Sequence, residues 1–155
     1  MLPGSLAVMA KPKITANQST VFEAIAALGT THLVSLLAPG EASELGLQDE
    51  AALCASQGMR FINFPIEDMT LPSNLESYVA FTTDLHRNVS QGNQVVVHCR
   101  AGIGRSGITA CAVLMHEGIP AGESIDAVTQ ARGVQIPDTD EQRRFIHQLE
   151  PLIRF

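Results

Sequence analysis

The stretch from Val95 to Met115 constrains this chain more than any other. Val95-Val96-Val97-His98 is a continuous apolar run closing on a histidine, which reads as a strand buried on both faces. Ile108-Thr109-Ala110-Cys111-Ala112-Val113-Leu114-Met115 is long and apolar enough for a core helix. Nine residues join them, Cys99-Arg100-Ala101-Gly102-Ile103-Gly104-Arg105-Ser106-Gly107. Glycines at 102 and 104 let the backbone bend through positive φ and approach a ligand closely. A strand, a tight glycine loop and a helix start together form an anion cradle, because backbone N–H groups converge there and the helix dipole adds partial positive charge. The N–H groups of Arg100, Ala101, Gly102, Ile103, Gly104 and Arg105 are expected to hold a phosphate. The Arg105 guanidinium stands at the mouth, where its planar fork can take two oxygens at once.

A cysteine lies inside this cradle. The field that attracts phosphate also favours thiolate over thiol, so Cys99 is expected to be a nucleophile under a bound phosphate. A Walker-type phosphate loop is excluded, since no Gly-Lys-Ser/Thr follows. Taken alone, Cys99 would read as a buried structural cysteine. The arginine six positions later, the two intervening glycines and the adjacent Ser106 reverse that reading.

The rest of the chain frames this loop. Its 155 residues suit one domain with one core, expected to span 1–155. A hydrophobic content of 45% with 17% charged residues is globular in composition. The net charge of −6 argues against nucleic acid or an anionic membrane as a main partner, and makes any attraction for phosphate local to the loop. Cysteines at 54, 99 and 111 form neither a disulfide framework nor a zinc pattern, and Cys54 and Cys111 read as small core residues. Residues Met1 to Ala10 lack a basic leader, and no apolar run reaches membrane-spanning length. A soluble protein of the reducing cytoplasm is the expectation.

Strands are expected at Leu6–Ala10, His32–Leu37, Arg60–Ile66 and Gln94–His98. Helices are expected from about Val21 to Leu28, from Gln48 to Gln57, from Ser73 or Asn74 to Val89, and from the loop to about Glu117. Two more are expected from Ser124 to Arg132 and from Asp138 to the C-terminus. Pro39-Gly40-Glu41 reads as a turn. The alternation implies an α/β domain with a largely parallel central sheet flanked by helices on both faces. In such sheets ligands bind outside the carboxyl ends of the strands, where Cys99 and Asp68 both fall. His32 and Tyr78 read as packing residues.

His98-Cys99, five residues, then Arg105-Ser106 is similar to the signature loop of the cysteine-dependent protein tyrosine phosphatase superfamily. Phe64-Pro65-Ile66-Glu67-Asp68 resembles the general-acid loop of its dual-specificity branch. Leu36 to Glu44 and Ala131-Arg132-Gly133 resemble segments of the kinase-associated type within that branch. The resemblance implies a phosphoric monoester hydrolase working through a phosphocysteine. Cys99 would attack phosphorus, Arg105 and the loop amides would hold the phosphoryl oxygens, and a carboxylic acid would protonate the leaving oxygen.

Asp68 is the candidate acid. Glu67 competes with it on position, and the resemblance favours Asp68. Asp138 and Asp140 are weaker rivals, because both stand where a helix cap is the ordinary explanation. The resemblance also implies that Ser106 hydrogen-bonds the Cys99 sulfur; a helix N-cap is its ordinary role, and both can hold together. His98 is expected to orient the loop. Gln142 is either the glutamine that orients the attacking water or an ordinary helix-surface residue. No cofactor and no metal is expected.

Tyrosine-specific members of the superfamily have a longer chain and an aromatic recognition loop that deepens the pocket. This chain is short and lacks tryptophan, so the resemblance implies a shallower cleft and a phosphorylated protein or peptide substrate carrying phosphotyrosine, phosphoserine or phosphothreonine. A phosphoinositide or inositol phosphate phosphatase on the same scaffold is the alternative. Relatives of that type often carry extra lysines inside the signature loop; here only Arg100 is basic and Ile103 is apolar, so the resemblance leans toward protein substrates. A catalytically inactive phosphobinding module is the remote third reading.

Overall fold

Side-chain alternation along two short strands organises the molecule. The computed structural model describes residues 4–14 and 17–153. Its strands are β1 (Ser5–Met9), β2 (His32–Ser35), β3 (Arg60–Asn63) and β4 (Gln94–His98). They form one sheet in the order β1-β4-β2-β3, with every pairing parallel. Successive strand residues point to opposite faces. Val34, Val95 and Val97 therefore enter one core while Leu33 and Val96 enter the other. Burial on both faces explains the unbroken valine run of β4.

The first core is closed by α4 (Leu75–Ser90), α5 (Arg105–His116), α6 (Ala121–Arg132) and α7 (Asp140–Ile153). The second is closed by α1 (Gln18–Ala27) and α3 (Glu50–Ser56), through Phe22, Ile25 and Cys54. This is the α/β architecture expected from the sequence. Among the described residues no helix is long and apolar enough to cross a membrane. The expected domain limits of 1–155 include residues 1–3, 15–16 and 154–155, which lie outside the described set, as do Met1–Pro3 of the leader reading and the last two residues of the final helix.

Local chemistry explains where elements depart from expectation. Pro39-Gly40-Glu41 is not a simple turn but opens a short helix, α2 (Pro39–Glu44). Pro39 sits in the first turn, where its fixed φ suits a helix start, and the Glu41 carboxylate accepts from the Ala38 N–H at 3.4 Å. Helix α6 starts at Ala121, three residues earlier than expected, directly after Pro120. Helix α4 is capped as expected, with Asn74 Oδ1 accepting from the Ser77 N–H at 2.9 Å. Helix α7 starts at Asp140, and its cap is neither Asp138 nor Asp140. Thr139 Oγ1 accepts from the Gln142 N–H at 3.0 Å, while Gln142 Oε1 accepts from the Thr139 N–H at 3.2 Å. This reciprocal pair is a capping box.

The carboxyl ends of the parallel strands lie side by side, since Met9 and Ser35 both stand level with His98. The Cys99–Ser106 loop follows from the end of β4, and Asp68 lies on the loop after β3.

Candidate active site

Residues 99–104 leave β4 and wrap into the first turn of α5. Two glycines allow the wrap. Gly102 has φ +74°, and a Cβ there would come within 2.5 Å of the Met9 backbone carbon. A Cβ on Gly104 would stand 2.7 Å from Asp138 Oδ2 and 2.9 Å from Gln142 Nε2. Three successive loop carbonyls are satisfied from outside the loop. Arg100 O accepts from the Lys11 N–H at 3.1 Å, Ala101 O from Arg132 Nη2 at 3.0 Å, and Gly102 O from Arg132 Nε at 3.0 Å. With the carbonyls engaged on one side, N–H groups are free for the other. One of them, on Gly102, donates to Cys99 Sγ at 3.3 Å, a bond that an anionic sulfur accepts better than a neutral one. Cys99 is buried at the floor of this loop.

Arg105 is the most constrained side chain of the site, only 2% exposed. Its Nη1 donates to Glu41 Oε1 at 2.7 Å and to Ile66 O at 2.8 Å. Its Nη2 donates to Glu41 Oε2 at 2.9 Å and to Asp68 Oδ1 at 3.0 Å. The Glu41 contact is a bidentate fork. Hydrogen bonding from Arg105 holds the Glu41 carboxyl below its ordinary range, against the opposing effect of burial. The Arg105 carbonyl accepts from Thr109 Oγ1 at 2.9 Å, and Thr109 in turn pairs with the Tyr78 hydroxyl at 2.7 Å. With its own proton given to Arg105, Thr109 accepts from Tyr78, so Tyr78 anchors the start of α5 as well as filling the core.

The other expected residues gather nearby, with adjustments. Asp68 lies on the β3–α4 loop, 44% exposed by side chain and in direct contact with Arg105. Glu67 is exposed and makes no side-chain contact with Arg105. Met69, next to Asp68, has φ +62° and is 58% exposed. Asp138 borders the loop at Gly104 rather than capping α7. Ser106 is not the N-cap, which is Gly104; it is the second residue of α5, fully buried, and its Oγ has no hydrogen-bond partner. Gln142 is buried, with Oε1 spent on the capping box and Nε2 unpartnered beside Gly104. It is therefore not a surface glutamine.

His98 is fully buried. Its Nδ1 lies 3.1 Å from Cys99 O and its Nε2 lies 2.5 Å from Glu50 Oε2, so the ring ties the start of the loop to α3. The remaining cysteines are remote from this chemistry. Burial pushes both thiols up to about 12, Cys54 with some help from Glu50. Among the described residues no group of three or more His, Cys, Asp or Glu is placed to hold a metal ion.

Sequence reasoning missed Glu41, Glu50 and Arg132. Glu41 carries a local signal only once Pro39 is taken as a helix start, as the acid three residues after the Ala38 cap. Glu50 and Arg132 carry no local signal, since they meet the loop from 48 and about 30 residues away.

Comparison with known proteins agrees with this geometry. The phosphatidylinositol 3,4,5-trisphosphate 3-phosphatase and protein-tyrosine-phosphatase PTEN1 of Arabidopsis thaliana is 33% identical over 103 residues, covering 62% of this chain and 24% of that protein. A putative tyrosine phosphatase, 197R of Invertebrate iridescent virus 6, is 31% identical over 94 residues, covering 58% of this chain and 34% of that protein. The chain thus spans about a quarter to a third of the length of these curated relatives. Kinase associated phosphatase, solved with its catalytic-site cysteine replaced by serine, superposes with a TM-score of 0.84 at 20% identity, over 97% of this chain and 86% of that one. Residues 7–119, from β1 to just past α5, match the family described as polymorphic toxin system, DSP-PTPase phosphatase, and this chain belongs to that family.

Proposed function

We propose that this chain is a cysteine-dependent phosphoric monoester hydrolase of dual specificity, acting on phosphorylated proteins or peptides through a phosphocysteine. The observation that carries this reading is the loop with its carbonyls tied outward, a sulfur at its floor and a buried guanidinium at its wall.

In the first step the Cys99 sulfur uses a lone pair to form an S–P bond. The P–O bond to the leaving alcohol or phenol breaks, and its electron pair takes a proton from Asp68. The loop amides and Arg105 carry the charge on the three equatorial oxygens. In the second step water attacks phosphorus, its proton passes to Asp68, and the S–P pair returns to sulfur. Ser106 Oγ, buried without a partner beside the loop, is suited to donate to the departing sulfur once its rotor turns. Gln142 Nε2, fixed by the capping box and pointing at Gly104, is suited to hold the attacking water.

All four Nη hydrogens of Arg105 are engaged, by Glu41, Ile66 and Asp68. Asp68 is the most exposed of these partners, so an incoming phosphate exchanges with it. That exchange moves Asp68 off the guanidinium and toward the leaving group.

The rim supports a protein or peptide substrate. A cleft of about 370 Å³ beside the loop is lined by Glu41, Glu44, Glu67 and Asp68, with Arg100 its single cation. Glu41 and Asp68 are paired with Arg105, but the rim as a whole stays acidic, so it repels the extra phosphates of a polyanionic inositol phosphate more than a phosphopeptide of neutral or basic sequence. The second reading, a phosphoinositide phosphatase, is favoured by the name of the Arabidopsis relative. Three buried free thiols suit a reducing compartment, and the cytoplasm is proposed on that ground.

Phosphate release from phosphotyrosyl and phosphothreonyl peptides, compared with inositol phosphates and phosphoinositide vesicles, separates the two readings. Cys99→Ser is expected to retain binding of the phosphate ester and lose turnover. A Cys99→Ser variant that keeps its rate refutes the proposal.

A further inference from the structure

The amino ends of the strands carry a second polar pocket, about 10 Å along β2 from the end that bears the catalytic loop. It encloses about 340 Å³ and is lined by His32 and Arg60 at the starts of β2 and β3, and by Asn88, Gln91 and Asn93 around the end of α4. His32 and Arg60 stand directly opposite each other in the parallel register, so their side chains leave the same face of the sheet.

Three features mark it as more than a surface dimple. First, the chain carries 16 acidic and 10 basic side chains, yet no carboxylate lines this pocket. Second, the Arg60 guanidinium has neither an ion pair nor a hydrogen bond among the described residues, leaving its five donors for a ligand. Third, His32 is only 7% exposed but half of its ring is uncommitted. Thr31 Oγ1 stands 2.8 Å from His32 Nδ1, and it also meets Gln94 O at 3.1 Å and the Gln94 N–H at 3.0 Å. Among the described residues no hydrogen bond engages Nε2, which leaves that nitrogen for a ligand of the pocket that His32 lines. The amides add donors, since among the described residues Gln91 has no side-chain hydrogen bond and Asn88 and Asn93 each spend a single N–H, on Asp84 O and Asn88 Oδ1.

We propose that this pocket is an anion site, taking a compact oxyanion such as inorganic phosphate between Arg60 and His32. The proton between Nε2 and the bound oxygen comes from imidazolium or from dihydrogen phosphate, and the charge count is the same either way. Among the described residues no other charged group lines the pocket: β4 presents Gln94 and Val95 beside His32, and α4 and the turn after it present the amides of Asn88, Gln91 and Asn93. Burial and the Arg60 charge together lower the His32 pKa, and an anion seated between the two residues relieves the second cause. The site is independent of the catalytic reading, because it shares no residue with the loop.

The test is a titration of the whole protein with potassium phosphate against potassium chloride at matched ionic strength, read at the His32 ring C–H resonances by NMR. The Gly102 amide reports the catalytic loop in the same spectra. Expected are a saturable His32 shift with half-saturation near roughly 1–10 mM phosphate, a raised His32 pKa, and at least about tenfold weaker binding in Arg60→Gln. Arg60 is exposed, so this variant is expected to fold, and its urea midpoint checks that it has. Movement of the Gly102 amide without any His32 shift overturns the proposal. So does a His32 shift of equal affinity in Arg60→Gln.

Discussion

Replacing Glu41 by glutamine keeps the shape of the side chain and removes its charge. In the native structure the two carboxylate oxygens accept from Arg105 Nη1 and Nη2 at 2.7 and 2.9 Å. A glutamine keeps one acceptor and turns an NH2 toward a guanidinium that also donates. One charge-assisted bond is lost and the other weakened, a loss of about 1.5–3 kcal/mol. The loss stays below the roughly 3–5 kcal/mol of a fully stranded buried charge, because Asp68 and Ile66 O still hold Arg105. If the catalytic competence of Arg105 depends on this anchoring, kcat/KM falls about tenfold to a hundredfold, at about 1.4 kcal/mol per decade. The unfolding midpoint falls by roughly 3–12 °C.

The assay is hydrolysis of an aryl phosphate, with Glu23→Gln on the exposed face of α1 as the charge control. The pH dependence has a definite sign. The folded pKa of Glu41 is depressed by Arg105, so its contribution is complete above the ordinary value of 4.5 and disappears as pH falls through the lowered one. Wild type and variant should therefore differ at pH 7 and converge in strong acid. A variant whose kcat/KM stays within about twofold of wild type, with an unchanged midpoint, refutes the idea that Glu41 positions Arg105.

Other consequences can be checked independently. Asp68→Ala should slow substrates with poor leaving groups far more than activated aryl phosphates; equal loss on both would move the acid role to Glu67 or Asp138. Alkylation by iodoacetamide at neutral pH should modify Cys99 alone, since burial holds Cys54 and Cys111 near 12, and mass mapping after digestion reads it directly. Gly102→Ala should lose at least about 1–2 kcal/mol from its left-handed φ alone, and most of its turnover from the clash with Met9; native stability and rate would contradict the loop geometry. Stability should fall as pH drops below 6.5, because burial and then His86 lower the His116 pKa, so the unfolded chain takes up the proton first. Urea midpoints at pH 7 and pH 5 measure this, and His116→Gln should flatten the difference.

Much of the site is legible in the sequence alone. Cys99, Gly102, Gly104 and Arg105 are close in sequence, and the strand before them and helix after them dictate one arrangement. Gln142 was half legible: Thr139-Asp140-Glu141-Gln142 spells a capping box, and that box buries the glutamine against the loop instead of leaving it on the helix surface. Ser106 was misread as a possible cap, because the helix begins one residue before it. Glu41 was hidden by Pro39-Gly40, which reads as a turn until Pro39 is recognised as a helix start.

The sequence by itself determined the α/β fold class, the parallel sheet and the loop with its cysteine and arginine, because hydrophobic period, glycine placement and motif spacing act over a few residues at a time. Only the tertiary structure decided which charges hold that loop in shape: Glu41 on Arg105, Glu50 on His98 and Arg132 on two carbonyls. Those partners are chosen by proximity across the strand ends, and proximity between residues some 30 to 64 positions apart is a property of the packed sheet, not of any stretch of chain.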